Sequence, residues 1–282
     1  MLKFDGLAAG KGVAVCLVEQ EATDFLDEVF VKQRFGPGRV LVEDFLTGPE
    51  VSIFAAIVDD CYLIFTPARD YKRLGEGDAG LNTGGMGAVA SRQLISAELL
   101  AEIEKNIVVP TVEGLREDGL PYRGFLYFGL MLTPDGPKII EYNCRFGDPE
   151  CEAVMPLLSG NFAQYIFDAA NGTLNPDLIS FSNHWSLCLI LASHGYPESS
   201  RSGDAISGLD LVSHATTFHC GTRLNNEGTF ETNGGRVLAI VATAPTLTAA
   251  RETVYSEAAK VSFPGRQNRS DIGLLHFANA PG

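Results

Sequence analysis

Lys138-Ile139-Ile140-Glu141-Tyr142-Asn143-Cys144-Arg145-Phe146-Gly147-Asp148-Pro149-Glu150 is the stretch on which the fold turns. Its first half alternates in character, as a strand does. Glu141 and Asn143 stand two apart, so on a strand they share a face. A carboxylate and an amide oxygen side by side suit Mg2+ (or Mn2+), a hard cation that takes oxygen ligands and shares its shell with nucleotide phosphates. A strand end with two solvated polar residues has the same pattern. The turn that follows weighs against it, because Arg145 and two acids, Asp148 and Glu150, come directly after the pair. Upstream, Phe125–Leu132 forms a second strand, and Pro134-Asp135-Gly136 is the turn that joins the two into a hairpin.

Further upstream, Asp70-Tyr71-Lys72-Arg73 precedes Asn82-Thr83-Gly84-Gly85-Met86-Gly87. Lys72 and Arg73 are able to neutralise a carboxylate or phosphate, the arginine bidentately. The Gly84–Gly87 run offers unobstructed N–H groups. The alternative is a flexible surface loop with a solvated charge pair. Asp70–Ala90 as a whole reads as one long loop with six glycines, a length that is usually functional or disordered.

The chain opens on Lys3-Phe4-Asp5-Gly6-Leu7-Ala8-Ala9-Gly10-Lys11-Gly12. A P-loop needs four residues between its first glycine and the Gly-Lys pair, then Ser or Thr on a helix. Here three intervene, Gly12 follows the lysine, and the β-prone run Val13–Val18 comes next. The expected form is therefore a strand–loop–strand flap. Its small residues let backbone N–H groups approach phosphates, and Lys3 reaches them as a point charge. An ordinary Gly-rich hairpin has the same composition. Val42-Glu43-Asp44-Phe45-Leu46, with Glu50 after a Thr47-Gly48-Pro49 turn, supplies a strand edge, apolar residues and carboxylates, the types that hold an adenine and its ribose. Solvated acids on an edge strand account for that segment equally well.

The remaining pattern mixes helices and strands. Val40–Phe45 and Val51–Val58 read as strands. Thr23 is expected to cap a helix carrying Phe25, Leu26, Val29 and Phe30. Ser96 is expected to cap another with Leu99, Leu100, Ile103 and Ile107 on one face. Asn161–Asn171 reads as a helix. After the polar stretch Pro176–Asn183 come strands Trp185–Ala192 and Arg236–Ala242, and a late helix capped by Thr248. A boundary is expected near residue 183.

Of the 282 residues 45% are hydrophobic and 20% charged, a globular composition, and the net charge is -14. So acidic a chain is a poor candidate for binding nucleic acid or anionic lipid, and an anionic ligand needs a local cationic site. Six cysteines without a CxxC pair argue for reduced thiols in a cytoplasmic protein, mostly buried as small apolar groups. No apolar run approaches the ~18 residues of a membrane span, and the charged, Gly-rich opening leads to no expectation of a signal peptide.

Taken together these segments resemble glycinamide ribonucleotide synthetase (phosphoribosylamine–glycine ligase). The likeness lies in KxDGLAAGKGV at Lys3–Val13, VEDFL at Val42–Leu46 and DxKR at Asp70–Arg73. It continues in NTGGMGA at Asn82–Ala88, GFLYxGLM at Gly124–Met131 and IEYNCRFGDPE at Ile140–Glu150, and ends in GYP, FHxGT, NGGRVL and DIG between Gly195 and Gly273. Tyr71, Leu81 and Pro49 depart from the family's usual histidine, proline and acid. The resemblance implies an α/β (α+β) ATP-grasp fold, incomplete at the N-terminus. Residues 1–46 would be a remnant of the small subdomain, 47–182 the large subdomain and 183–282 a smaller C-terminal domain. It implies a reaction in which ATP, glycine and 5-phosphoribosylamine give glycinamide ribonucleotide, ADP and phosphate, with no obligate protein partner. On it, Lys3, Gly6, Gly10, Lys11, Gly12, Glu43, Phe45, Leu46 and Glu50 hold ATP. Asp70, Lys72, Arg73, Asn82, Thr83, Gly84 and Asp148 meet substrates, Glu141 and Asn143 hold the metal, and Arg145 faces the developing charge. Because a dense motif begins at the third residue and the family carries a further N-terminal domain, the isolated chain is expected to be inactive. Two alternatives remain: another ATP-grasp ligase or carboxylase, against which the lack of an acid in Tyr127–Leu132 counts, and a non-catalytic nucleotide-binding fragment.

Overall fold

The computed structural model describes residues 1–8 and 12–274. Gly10 and Lys11 of the expected flap lie outside the described residues. The chain divides into two compact units, Met1–Gly48 and Pro49–Gly282.

In the first unit, β1 (Leu2–Asp5) is flanked by β2 (Val13–Ala14) and β3 (Arg39–Val42), both antiparallel to it. Alternation along β1 buries Leu2 and Phe4 and turns Lys3 and Asp5 to the other face. The Phe4 ring meets Phe35 at 5.3 Å between centroids. The expected strand Val13–Val18 is cut short. Ala14 stands opposite Leu2, so later residues run past the end of β1 and find no ladder. No helix follows Gly12; α1 (Glu19–Leu26) begins seven residues on and passes into a wide turn, Asp27–Val31, that buries Val29. Thr23 does not cap it. The Glu21 carboxylate accepts from the Leu17 and Val18 N–H groups at its start, and the Thr23 hydroxyl donates back to Glu19 O.

The second unit starts with β4 (Glu50–Val58), β5 (Cys61–Ile64), β6 (Ala68–Asp70), β7 (Arg73–Gly75), β8 (Ala79–Asn82) and β9 (Gly87–Ala90). The stretch expected as one long loop is thus divided: β7 and β8 make a small hairpin, and β6 pairs with β9. Helices α2 (Ala97–Ile103) and α3 (Val109–Glu117) follow, then the hairpin β10 (Arg123–Thr133) and β11 (Gly136–Asn143). Ser96 caps α2 by accepting from the Leu99 N–H. Between α2 and α3 lies a π-helical turn, Glu104–Val108, just ahead of Pro110, whose missing N–H removes one regular helical bond. Then come α4 (Glu150–Val154), β12 (Leu158–Gly160), α5 (Phe162–Ala170) and β13 (Ile179–Phe181). The chain continues through β14 (Trp185–Ala192), β15 (Thr216–His219), β16 (Thr222–Leu224), β17 (Phe230–Thr232), β18 (Arg236–Ala244) and α6 (Leu247–Ala258). Thr246, not Thr248, caps α6.

One antiparallel sheet of nine strands organises this unit, in the order β11–β10–β4–β6–β9–β14–β18–β15, with β5 paired to β4. Both of its faces are covered, which is why β4 and β14 are continuous apolar runs. Ile53, Ile57, Val89, Phe128, Leu187, Leu189 and Ile240 pack one face, with Ile103 and Val108 of the α2–α3 stretch and Val254 of α6. Phe54, Ala56, Ala88, Cys188, Ile190 and Val241 pack the other, with Val154, Leu157 and Tyr165. Burying such a Leu or Ile side chain stabilises the fold by about 1.5–3 kcal/mol. Near residue 183 the sheet is uninterrupted: β14 pairs with β9 over Ser186–Leu189. Of the six cysteines, all free, only Cys188 is fully buried; Cys61, Cys144 and Cys220 are exposed, contrary to the expectation of buried thiols. No helix among the described residues is long and apolar enough to cross a membrane.

Candidate active site

In the first unit, Lys3 Nζ lies 2.7 Å from Glu43 Oε2. The register explains the meeting: Leu2 is opposite Val42, and the terminal amine donates to Glu43 O while the Glu43 N–H donates to Met1 O. The lysine is 16% exposed and the glutamate 40%. Both glycines at the flap's described ends are crowded. A Cβ on Gly6 would lie 2.6 Å from the Phe4 ring, and one on Gly12 would lie 2.6 Å from Ala8 Cβ. Phe45 is exposed and Leu46 half-buried beyond the end of β3.

In the second unit, Glu141 and Asn143 stand on β11, the outermost strand, and Asn143 Nδ2 donates to Glu141 Oε1 at 3.2 Å. A bulge precedes them: Gly129 pairs with Glu141 but Leu130 with Ile139, so Ile140 is an extra residue that resets which face the pair takes. Gly129 leaves the room, since a Cβ there would lie 3.1 Å from Glu141 Cγ. Arg145 is exposed, and its Nη1 donates to Phe146 O. Among the described residues no group of three or more His, Cys, Asp and Glu is placed to hold a metal unaided. A cation on the Glu141–Asn143 pair thus depends on phosphate and water oxygens, as Mg2+ commonly does.

A polar cluster sits inside the same sheet. Lys72 Nζ pairs with the Glu50 carboxylate and lies 3.9 Å from Asp70 Oδ1. The expectation placed Glu50 with the ribose-binding group; here it is brought to Lys72 and Asp70. Sequence reasoning missed three further members. Ser52, two residues along β4 from Glu50, donates to Glu150 Oε1 at 3.0 Å and lies 3.1 Å from Tyr127 Oη. Three carboxylates therefore share one lysine. Burial pushes Asp70 up to about 7; Lys72 opposes this, and Glu150 and Glu50 add to it. Glu150 is raised too, by burial against its bonds to Ser52 and the backbone. Burial disfavours the charge on Lys72, but Asp70 and Glu50 outweigh it and hold the amine above its usual range.

The glycine run is a rigid scaffold, not a row of open donors. The Gly84 N–H donates to Tyr196 Oη, the Gly85 N–H to Thr83 Oγ1 and the Met86 N–H to Tyr71 O. Thr83 Oγ1 itself donates to Lys72 O. Arg236, also missed in sequence, ties the run to the turn after β11: it donates to Gly84 O and Asp148 O, and Nη2 to Asp148 Oδ2 at 2.8 Å. Gly85 has φ +108°, and a Cβ on it would lie 2.4 Å from Pro149 Cδ, so only glycine fits. Arg73 donates to Gly80 O across its hairpin, where Asn82 is its strand partner.

Residues 1–151 match the phosphoribosylglycinamide synthetase ATP-grasp (A) domain, and residues 186–275 match the C domain of the same synthetase. The chain belongs to the phosphoribosylglycinamide synthetase family. Its relatives include a phosphoribosylamine–glycine ligase of Caldanaerobacter subterraneus, 43% identical over 96% of the chain and 66% of that protein. The bifunctional purine biosynthetic protein PUR2,5 of Pichia angusta is 41% identical over 100% of the chain and 36% of that protein. The crystal structure of the phosphoribosylamine–glycine ligase of Thermotoga maritima superposes with a TM-score of 0.87 at 35% identity, over 96% of the chain and 68% of that structure. A biotin carboxylase domain from Hydrogenobacter thermophilus, at 15% identity and a TM-score of 0.65, shares the ATP-grasp fold alone. The chain thus spans about two thirds of the length of the single-function synthetases it matches (66% of the Caldanaerobacter protein). The two domain matches stop at 151 and resume at 186, on either side of the linker that carries residue 183.

Proposed function

We propose that this chain carries the nucleotide, metal and substrate contacts of a ligase that joins glycine to 5-phosphoribosylamine, with ATP cleaved to ADP and phosphate, in the cytosol. The observation that supports this most is the Glu141–Asn143 pair, aimed by the Ile140 bulge, given room by Gly129 and followed at once by Arg145. The two oxygens fit Mg2+, which when bound with ATP would neutralise phosphate oxygens.

A carboxylate is a poor electrophile because its leaving group is oxide. Moving the γ-phosphoryl group onto glycine makes an acyl phosphate, whose leaving group is phosphate, and the amine then displaces it. No covalent nucleophile is needed, and the protein's part is positioning and charge stabilisation. Arg145 supplies positive charge where negative charge develops. Lys72 and Arg73 hold anionic groups of the substrates, with Lys72 kept charged by Asp70 and Glu50. In the first unit, Lys3 exchanges Glu43 for a phosphate, and Phe45 and Leu46 offer apolar contact to the adenine.

The test is ADP release as a function of glycine and 5-phosphoribosylamine. It is run on the chain, and on the chain joined to the part of the Caldanaerobacter relative that it does not span. Release that requires both substrates supports the proposal. Release indifferent to glycine, or driven equally by other carboxylates, overturns it in favour of a different ligase.

A further inference from the structure

Arg269 is a buried cation in the segment after α6, 2% exposed, and the function proposed above gives it no role. Its guanidinium is nearly filled by partners. Nε and Nη2 donate to the two carboxylate oxygens of Asp271 at 2.7 and 2.6 Å, a bidentate pair. Nη1 donates to Asp78 Oδ1 at 2.8 Å and to the backbone oxygen of Arg73 at 3.0 Å. Its face lies 5.2 Å from the centre of the Tyr71 ring.

The contacts around it all bind the same two pieces of chain. Asp271 also accepts from the Gly77 N–H, Ser270 donates to Glu76, and the Gly273 N–H donates to Tyr71 Oη. The segment is itself anchored: Arg251 on α6 donates to Ile272 O and Ser270 O, and Tyr255 Oη donates to Arg269 O. Residues 269–273 thus grip Tyr71, Arg73 and the tip of the β7–β8 hairpin. Lys72 lies between two gripped neighbours.

We propose that Arg269 is a positioning residue: through Asp78, Tyr71 and the Arg73 carbonyl it fixes the segment 71–82, so that Lys72 and Arg73 meet the substrate's anionic groups in one orientation. This rests on the assignment of Lys72 and Arg73 to substrate binding. Without the clamp the hairpin keeps its few ladder bonds and the Arg73–Gly80 bond, and a short two-stranded hairpin is marginal in water.

The experiment compares Arg269→Met with the unaltered chain by amide hydrogen exchange, alongside the ADP-release assay. Exchange at Arg73, Gly77 and Thr83 is expected to rise about tenfold or more, with Leu187–Leu191 of β14 unchanged. The KM for glycine or 5-phosphoribosylamine should rise about tenfold while that for ATP holds. Exchange that rises everywhere, or nowhere, overturns the proposal, and so does local loosening with unchanged substrate KM. If Arg269→Met fails to fold, Asp78→Asn, at a half-exposed partner, carries the same comparison with the same expected sites. With both forms joined to the part of the Caldanaerobacter relative that the chain does not span, an absence of ligase turnover in either rejects the reaction assigned above. The exchange pattern then decides by itself whether the clamp exists.

Discussion

Asp70 is held where little water reaches its carboxylate, and the consequence is a pH dependence with a definite sign. Its ordinary value is 3.8 and it is pushed up to about 7. Between those two values the folded chain keeps a proton that the unfolded chain has lost, so this group's contribution to stability falls as pH rises and levels off above about 7. Asp70→Asn removes that contribution. Its melting temperature relative to the parent should climb from pH 4 to pH 7 and then stay level; a difference independent of pH would contradict it. In the chain joined to the part of the Caldanaerobacter relative that it does not span, Glu141→Ala should lower Mg2+-dependent ADP release by about 100-fold or more with the melting temperature held, because an exposed edge-strand ligand adds little to packing. Turnover like the parent's in that variant would remove Glu141 from the metal assignment. At this scale, alternation alone was enough to pair Glu141 with Asn143. The places of Ser52, Tyr127 and Glu150 beside Lys72, and of Arg236 on Gly84 and Asp148, were illegible because each comes from a different strand or helix, and spacing along one element carries no trace of such a meeting.

Among the elements, β9 shows how little room a strand pair can leave. Gly87 stands opposite Leu189, and a Cβ on it would lie 2.6 Å from Cys188 O and 2.9 Å from Ile272 Cγ2. Gly87→Ala should therefore destabilise the second unit by about 2 kcal/mol or more, read as a lower urea midpoint with an unchanged slope. A midpoint equal to the parent's would mean that β9 and β14 slide apart without penalty. Strands buried on both faces were legible as apolar runs: β4 and β14 fall where Val51–Val58 and Trp185–Ala192 placed them. Asp70–Ala90 was not, because β6 to β9 are three or four residues long and draw their order from partners elsewhere. The Ile140 bulge was equally hidden, since a bulge is a relation between two strands.

For the molecule as a whole, the two units are unequal. Among the described residues of Met1–Gly48, only Leu2, Phe4 and Val29 are buried apolar side chains, while the rest of the chain carries two extensive clusters. So small a core gives little local stability. Amides of β1 and β3 should exchange faster than those of β14 and β18, and urea unfolding followed by a probe in each unit should give two midpoints, the lower in the first unit. Coincident midpoints would show one cooperative body. The likeness to a known family reached this scale in sequence and set a division at residue 46, beside the one seen at Gly48; the pairing of β14 with β9 across the two family segments depends on contacts and was not legible.

This has a practical corollary. The pairing of β9 with β14 zips the two family segments into one sheet, so a cut at residue 183 would leave each strand with a bare edge and Cys188 and Ile190 without the cover of Val154 and Leu157. Each half made alone is expected in inclusion bodies; made together in one cell, they should find each other and stay in solution as a non-covalent pair. The seam that looks like a place to swap modules is instead a natural point at which to split the protein into a self-assembling reporter.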